Sequence, residues 1–207
     1  MKLKVKLVGT SPYSPSKALV TEKQSNEDYT AYEQRVWPEK AHYNGKGELV
    51  MPIFGLKAML DSTASFLGEK IKGAGNKTYA KLFRAGVIIQ GENPVVKVGG
   101  KSLKKTDMKV ENNAEWVYCH SDGKRDGKAG RVYRLFPKVE NWETEFELEA
   151  IDPRLTEEVL ARHLVAAGLF NGMGRFRPQN GGHLGRFEVM VNGKKQTSEF
   201  SDVGDGE

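Results

Sequence analysis

Residues 142–151 read WETEFELEAI. Trp142, Thr144, Phe146, Leu148 and Ala150 point to one side of an extended chain, and Glu143, Glu145, Glu147 and Glu149 to the other. This period of two predicts a strand with one face in a core and one in water. Asp152-Pro153 ends it. The start of the chain carries the complementary pattern, MKLKVKLVG (residues 1–9), in which Leu3, Val5 and Leu7 alternate with Lys2, Lys4 and Lys6. Opposite charges on neighbouring strands attract, so the two strands are suited to lie side by side.

Helices are predicted next to both strands. Pro52 opens a run in which Leu56, Met59, Leu60, Thr63, Phe66 and Leu67 recur at three- and four-residue steps, closed by Gly68 and Gly73. A second helix is expected from about Thr156 to Ala167, with Thr156 as N-cap, Glu157 and Glu158 at the positive end of the dipole and Gly168 just past its end. Phe187, Val189 and Val191 mark a last strand. Short strands are also expected at Gly86–Gln90, Pro94–Val98 and Arg131–Phe136. The polar stretch Lys17–Gly47 reads as an insertion holding a β-ribbon around Gln34–Tyr43. Lys70–Lys81 reads as a basic loop, and Lys101–Gly130 as a second basic insertion that ends in SDGKRDGKAG.

The order strand, helix, strand, strand, helix, strand predicts an α+β fold with a ferredoxin-like (RRM-like) βαββαβ core. Its insertions follow the first strand and the first helix, and a glycine-rich loop precedes the last strand. The whole chain, 1–207, is expected to be one domain. Its core is expected at about 1–16, 48–72 and 131–197, with insertions at about 17–47 and 73–130 and an acidic tail at 198–207. The lysine and glutamate rows then face each other on the open sheet face. That face is charge-neutral and poor in aromatics, unlike the base-stacking sheet of an RNA-recognition motif, so nucleic-acid contact is expected from loops.

With 32 Lys and Arg against 27 Asp and Glu, the net charge is +5. Ser198–Glu207 holds four acids and no base, leaving about +9 on the remainder. A basic body favours a polyanion. The single cysteine, Cys119, excludes an intrachain disulfide and suits a reducing, cytoplasmic setting. No apolar run reaches the roughly 20 residues that span a bilayer, and the N-terminus lacks the apolar stretch of a signal peptide.

The chemistry is concentrated in GMGRFRPQNGGHLGRF, residues 172–187, where five of sixteen positions are glycine. Backbone N–H groups at Gly172, Gly174, Gly181 and Gly182 can line an anion site. Arg175, Arg177 and Arg186 bring planar forks matched to phosphate. Phe176 is placed to stack on a base, whereas Phe187 starts a strand and is expected in the core. His183 can touch RNA or act as a general base. His42, His120, His163 and His183 lack metal-ligand spacing, so neither metal nor cofactor is expected. His163 is expected to be structural. Asp28 and Asp107 read as solvated loop acids. Lys70, Lys72, Lys77 and Lys81 can track a phosphate backbone. Trp37, Trp116 and Trp142 are expected as core or ribbon-packing residues, with Trp37, among Arg35, Lys40 and Tyr43, the one best placed to touch a base.

A glycine-rich loop between the second helix and last strand of such a fold, together with MPIFGLKAML (Met51–Leu60), resembles the repeat-associated mysterious proteins (RAMPs), RNA-binding subunits of CRISPR effector complexes. Pro52, Gly55, Leu56, Lys57 and Leu60 fit the family's first-helix segment; Phe54 and Gly55 stand where serines are usual. The resemblance covers somewhat over half of the chain and omits the insertions. It is strongest to backbone subunits that polymerise along guide RNA, and it implies that Lys57, Arg175, Arg177 and Arg186 contact phosphates. The expected function is therefore a non-catalytic subunit that binds single-stranded RNA (or single-stranded DNA), self-associates along it and joins other effector subunits. Two alternatives stay open: a phage-borne single-stranded nucleic-acid-binding or counter-defence protein of the same fold, and a guide-RNA-processing endoribonuclease. Against the last, processing members place a His in or near the first helix, and Met51–Leu67 contains none.

Overall fold

The computed structural model describes residues 1–121 and 130–197; the acidic tail and most of SDGKRDGKAG lie outside the described residues. Strand β1 (Lys2–Gly9) lies between β7 (Trp142–Ala150) and β8 (Phe187–Val191), antiparallel to both. The far side of β7 pairs with β2 (Val87–Gln90) and β3 (Val96–Val98), and β3 continues into the short β4 (Lys101–Ser102). A short β9 (Lys194–Gln196) extends the other edge beyond β8. The fold is mixed α and β, with antiparallel sheets.

The alternation read from the sequence sets this sheet. Lys2, Lys4 and Lys6 lie opposite Glu149, Glu147 and Glu145. Lys6 bonds diagonally to Glu143 at 2.8 Å, and Glu143 is the chief reason the Lys6 pKa lies above its ordinary value. On the opposite face Leu3, Val5, Leu7, Trp142, Phe146, Leu148, Phe187, Val189 and Val191 are buried. They pack in one core with α2 (Ile53–Leu67) and α5 (Glu157–Ala166). Pro52 is the N-cap of α2 and Gly68 its left-handed C-cap. Thr156 caps α5 by accepting from the Val159 N–H.

Four expectations are corrected. First, Gln34–Tyr43 is not a ribbon. Asp28 caps α1 (Tyr29–Val36) by accepting from the Ala31 N–H, and Pro38 then opens a 3-10 turn, Trp37–Lys40. Second, the strand at Arg131–Phe136 does not join the main sheet. As β6 (Arg131–Pro137) it pairs with β5 (Ala114–His120), which follows the short α4 (Val110–Asn113), in a separate two-stranded ribbon. The neighbour of β7 is instead β2, inside the expected 73–130 insertion; Val87 and Ile89 have the apolar side chains that the core face needs. Third, part of the Lys-rich loop is helical, as α3 (Ala80–Gly86), packed through buried Phe83. The segment before it is closed by a Lys70–Thr78 bridge. Fourth, Gly168 is not the residue after the helix. It sits inside a π-turn, Ala167–Asn171, where a Cβ would lie 2.1 Å from the Phe187 carbonyl oxygen, so it is glycine for close helix–strand approach. Gly172, with φ 67°, ends the turn. Phe66 is 64% exposed and touches Phe170 rather than the core.

The ribbon is tied to the body by buried charge. Glu33 and Lys40 are almost fully buried and bonded to each other. The Glu33 carboxylate also accepts from the Leu135 N–H at 2.8 Å, and the Lys40 ammonium donates to the Leu135 carbonyl at 2.8 Å. Desolvation pulls the Lys40 pKa below its ordinary value despite Glu33. A small second core of Trp37, Met108 and Leu135 lies at this junction.

Candidate nucleic-acid interface

The loop after the π-turn folds back on the segment that follows β1. Arg175 N–H donates to the Ser14 carbonyl at 2.7 Å, and Gly185 N–H to the Pro12 carbonyl at 2.7 Å. Such approach excludes side chains. At Gly174, φ is 80° and a Cβ would lie 2.3 Å from the Ser14 oxygen; at Gly185, φ is 72° and a Cβ would lie 1.9 Å from the Met173 oxygen. The glycines therefore build a fixed loop before they can serve any ligand. Phe176 has a φ of 57°, a conformation that a bulky residue adopts only when its surroundings impose it. Here the Leu184 N–H donates to its carbonyl at 2.9 Å and its ring meets Phe136 edge-on at 5.4 Å.

Between this loop and the ribbon lies a groove of about 710 Å³. Gly174, Arg175, Phe176, Arg177, Gly181 and Gly182 form one wall. Tyr118, Cys119, His120, Arg131 and Phe136 form the other. Arg175 is central. Its guanidinium lies 4.4 Å from the Phe136 ring centroid, while the Lys40 ammonium is 4.7 Å from the same centroid. Lys40 has Glu33 as counterion. Among the described residues Arg175 has no acidic partner, and its buried Nε has no hydrogen-bond partner. Desolvation is the main reason its pKa lies below the ordinary arginine value; the Cys119 thiol opposes that shift and Arg134 adds to it. A half-buried cation without countercharge is costly unless an anion completes it.

Several expected site residues stand elsewhere or are engaged. Arg177 donates through Nε to Gln179 at 3.1 Å, with a longer bond to the Gly174 carbonyl, and still lines the groove. Arg186 donates to the Leu169 carbonyl at 2.5 Å, tying down the middle of the π-turn, and does not line the groove. His183 is exposed at the loop and is not among the residues that line the groove. Gly172 lies at the base of the loop, against a smaller cavity of about 180 Å³ that it shares with Tyr13, His42, Gly55 and Arg177. Lys57 is not brought to the loop: it pairs with Asp61 and donates to the Phe83 carbonyl at 2.9 Å, which pins α2 to α3. Lys70 donates to Asn76 within its own loop. Trp37 is 3% exposed and packs in the second core, as expected for a packing tryptophan, and does not touch a ligand surface. His163 is wholly buried, with Nδ1 2.8 Å from the Val159 carbonyl and its ring stacked on Phe83. Asp28 is spent on capping α1.

The sequence reading missed the ribbon wall. AEWVYCH (114–120) carries Trp116, Tyr118 and His120 at alternate positions, of which Tyr118 and His120 line the groove, and RVYRLFP (131–137) follows the Gly- and Asp-rich stretch SDGKRDGKAG. Two alternating runs around such a stretch are a hairpin signal, whereas the sequence reading assigns a strand only to the second. Among the described residues there is no cluster of three metal-ligating side chains, and no helix is long and apolar enough to cross a membrane.

No protein-family model matches the chain, and no curated protein does. Among solved structures it is similar to a chain of the Type III-B Cmr-beta complex bound to cognate target RNA. The identity is 11% and the TM-score 0.46, over 92% of this chain. This protein thus spans 60% of the length of that one. It is also similar to a chain of a CRISPR RNA-guided surveillance complex, at 8% identity and a TM-score of 0.37, covering 92% of this chain and 68% of the other. At these values neither likeness assigns the chain to a family.

Proposed function

We propose that this protein is a single-stranded RNA-binding subunit of RAMP type that holds the strand in the groove between the glycine loop and the ribbon. The observation that carries the reading is Arg175, a half-buried guanidinium stacked on Phe136 with no acidic partner among the described residues. A phosphate supplies that countercharge, and Arg's planar fork suits it. Phe176 and Tyr118 offer rings beside it on which bases can stack. Arg131 and Arg177 line the same groove and extend the cationic track. The motifs at Met51–Leu60 and Gly172–Phe187, and the strand order β2–β7–β1–β8 that matches a ferredoxin-like core, support the same reading. We take residues 1–197 as one domain, since a continuous core joins β1 to β8. By the RAMP resemblance the subunit self-associates along guide RNA beside other effector subunits. It needs no cofactor and does no chemistry.

The test is single-stranded RNA binding measured by fluorescence anisotropy from low to physiological salt. The log–log slope should be steep, with roughly 0.7 lost per phosphate contact removed. Absence of binding at low salt overturns the reading, and specific RNA cleavage abolished by His183→Ala overturns the non-catalytic part of it.

A further inference from the structure

The ribbon also borders a second recess, of about 510 Å³, that shares no lining residue with the groove. It lies between α1 and the ribbon. Tyr29, Tyr32, Trp116 and Tyr133 line it, and Val132 is the sole aliphatic residue among the described lining residues. Its rings are presented to solvent: Tyr29 is 75% exposed, Tyr133 65% and Trp116 37%. Two of them are held in place. Tyr32 donates to the Thr21 carbonyl at 2.7 Å, and Tyr133 packs against Tyr118 at 4.9 Å. Exposed large aromatics gathered in a concavity mark a binding site more than a surface designed only for water.

The charges around the recess select the occupant. Lys23 and Arg134 line it with one acid, Glu33. That carboxylate is already spent on Lys40 and on the Leu135 N–H, with Arg134 at 3.5 Å. Lys23 also sits 5.6 Å from the Tyr29 centroid, with its ammonium donating, among the described residues, only to the Gln24 and Glu27 carbonyls, while Arg35, 5.6 Å from the Tyr32 centroid, is paired with Glu27. An aliphatic helix finds little to pack on here, and a basic peptide meets like charge. A flat, anionic, hydrogen-bonding ligand meets ring faces and cations together.

We propose that this recess binds a nucleobase of single-stranded nucleic acid, stacked among Tyr29, Trp116 and Tyr133, with its phosphate toward Lys23 and Arg134. The recess shares no lining residue with the Arg175 groove, so substitutions can separate the two contacts, although Tyr133 and Tyr118 join them across the ribbon.

Tryptophan fluorescence reads this site directly, because Trp37 and Trp142 are buried and Trp116 is not. The intact protein is titrated with a tetra-adenylate RNA. The expected result is saturable quenching that Trp116→Phe removes, that Tyr29→Ala weakens about tenfold or more, and that Arg175→Ala leaves unchanged. Tyr29 is exposed, so its replacement spares the fold; melting curves confirm that. Three results overturn the proposal: no quenching by the oligonucleotide, quenching indifferent to both Tyr29→Ala and Tyr133→Ala, or quenching lost with Arg175→Ala. The last places the probe in the groove and leaves the recess without a ligand. Failure of the groove reading alone gives a different pattern, with the quenching intact and Arg175→Ala without effect on longer RNA.

Discussion

Replacing Arg175 by alanine separates a ligand-binding arginine from a packing one. In the free protein its guanidinium carbon stacks on Phe136 at 4.4 Å, and a cation–π contact of this kind contributes about 0.5–2 kcal/mol. Desolvation opposes it, as the lowered Arg175 pKa records, with Arg134 adding to the penalty. The two effects have opposite signs, so Arg175→Ala should change folding stability by no more than about 1 kcal/mol. Bound RNA changes the balance. A phosphate supplies the missing countercharge, and a charge-assisted hydrogen bond in a partly desolvated site is worth about 1.5–3 kcal/mol. That corresponds to a loss of roughly 10- to 100-fold in affinity. The salt slope should fall by about 0.7. Arg175→Lys keeps the charge but not the planar fork, so it should keep the slope and lose part of the affinity. Anisotropy titrations with labelled single-stranded RNA, run beside thermal melts, measure both quantities. If Arg175→Ala melts well below the wild type yet binds RNA with unchanged affinity and slope, the arginine is a packing residue and the groove argument fails.

Glu33→Ala leaves the buried Lys40 ammonium without its counterion, and such a change should cost about 3–5 kcal/mol in a denaturant titration; a loss under about 1 kcal/mol would show that the ribbon is not held this way. Lys6→Ala removes the 2.8 Å pair with Glu143 on a partly exposed sheet face, so stability should fall by at most about 1 kcal/mol and RNA affinity should hold; a larger affinity loss than that of Arg175→Ala moves the site to the sheet. Gly185→Ala should distort the loop, costing roughly 1–3 kcal/mol from the positive φ alone and more from the Met173 contact, and RNA affinity should fall with it; a wild-type melt contradicts the loop geometry. Burial depresses the His163 pKa below its ordinary 6.5, so both states are neutral above that pH, and below it the unfolded chain binds the proton more readily. Stability should therefore decline as pH falls from about 6.5, and His163→Phe should flatten that decline, with His42, depressed by burial and Lys17, supplying the remainder.

The main sheet was legible because its strands alternate cleanly and one face is buried. The lysine and glutamate rows even predicted which strands are neighbours, and the register pairs them. The helix starts at Pro52 and Thr156 were legible from their capping chemistry. The insertions were not. Tyr29–Val36 has a weak helical pattern because its two buried residues are Val36 and Glu33, and a glutamate does not announce burial unless its partner Lys40 is known. The second strand of the core was misassigned for a related reason. VIIQ is only four residues long, whereas RVYRLFP is longer and better patterned yet pairs locally. Within the candidate site, the glycine loop was visible from composition. Phe136, which lies beside both Arg175 and Lys40, was not, since that contact joins residues far apart in sequence.

Photo-cross-linking with 4-thiouridine-substituted single-stranded RNA, followed by peptide mapping, tests the central claim most directly. Cross-links should concentrate in 174–182 of the glycine loop and in the facing ribbon residues 118–120 and 131–136, and Arg175→Ala should reduce them. Cross-links confined to the Lys2–Lys6 and Glu143–Glu149 sheet face, with none in the glycine loop, would contradict it.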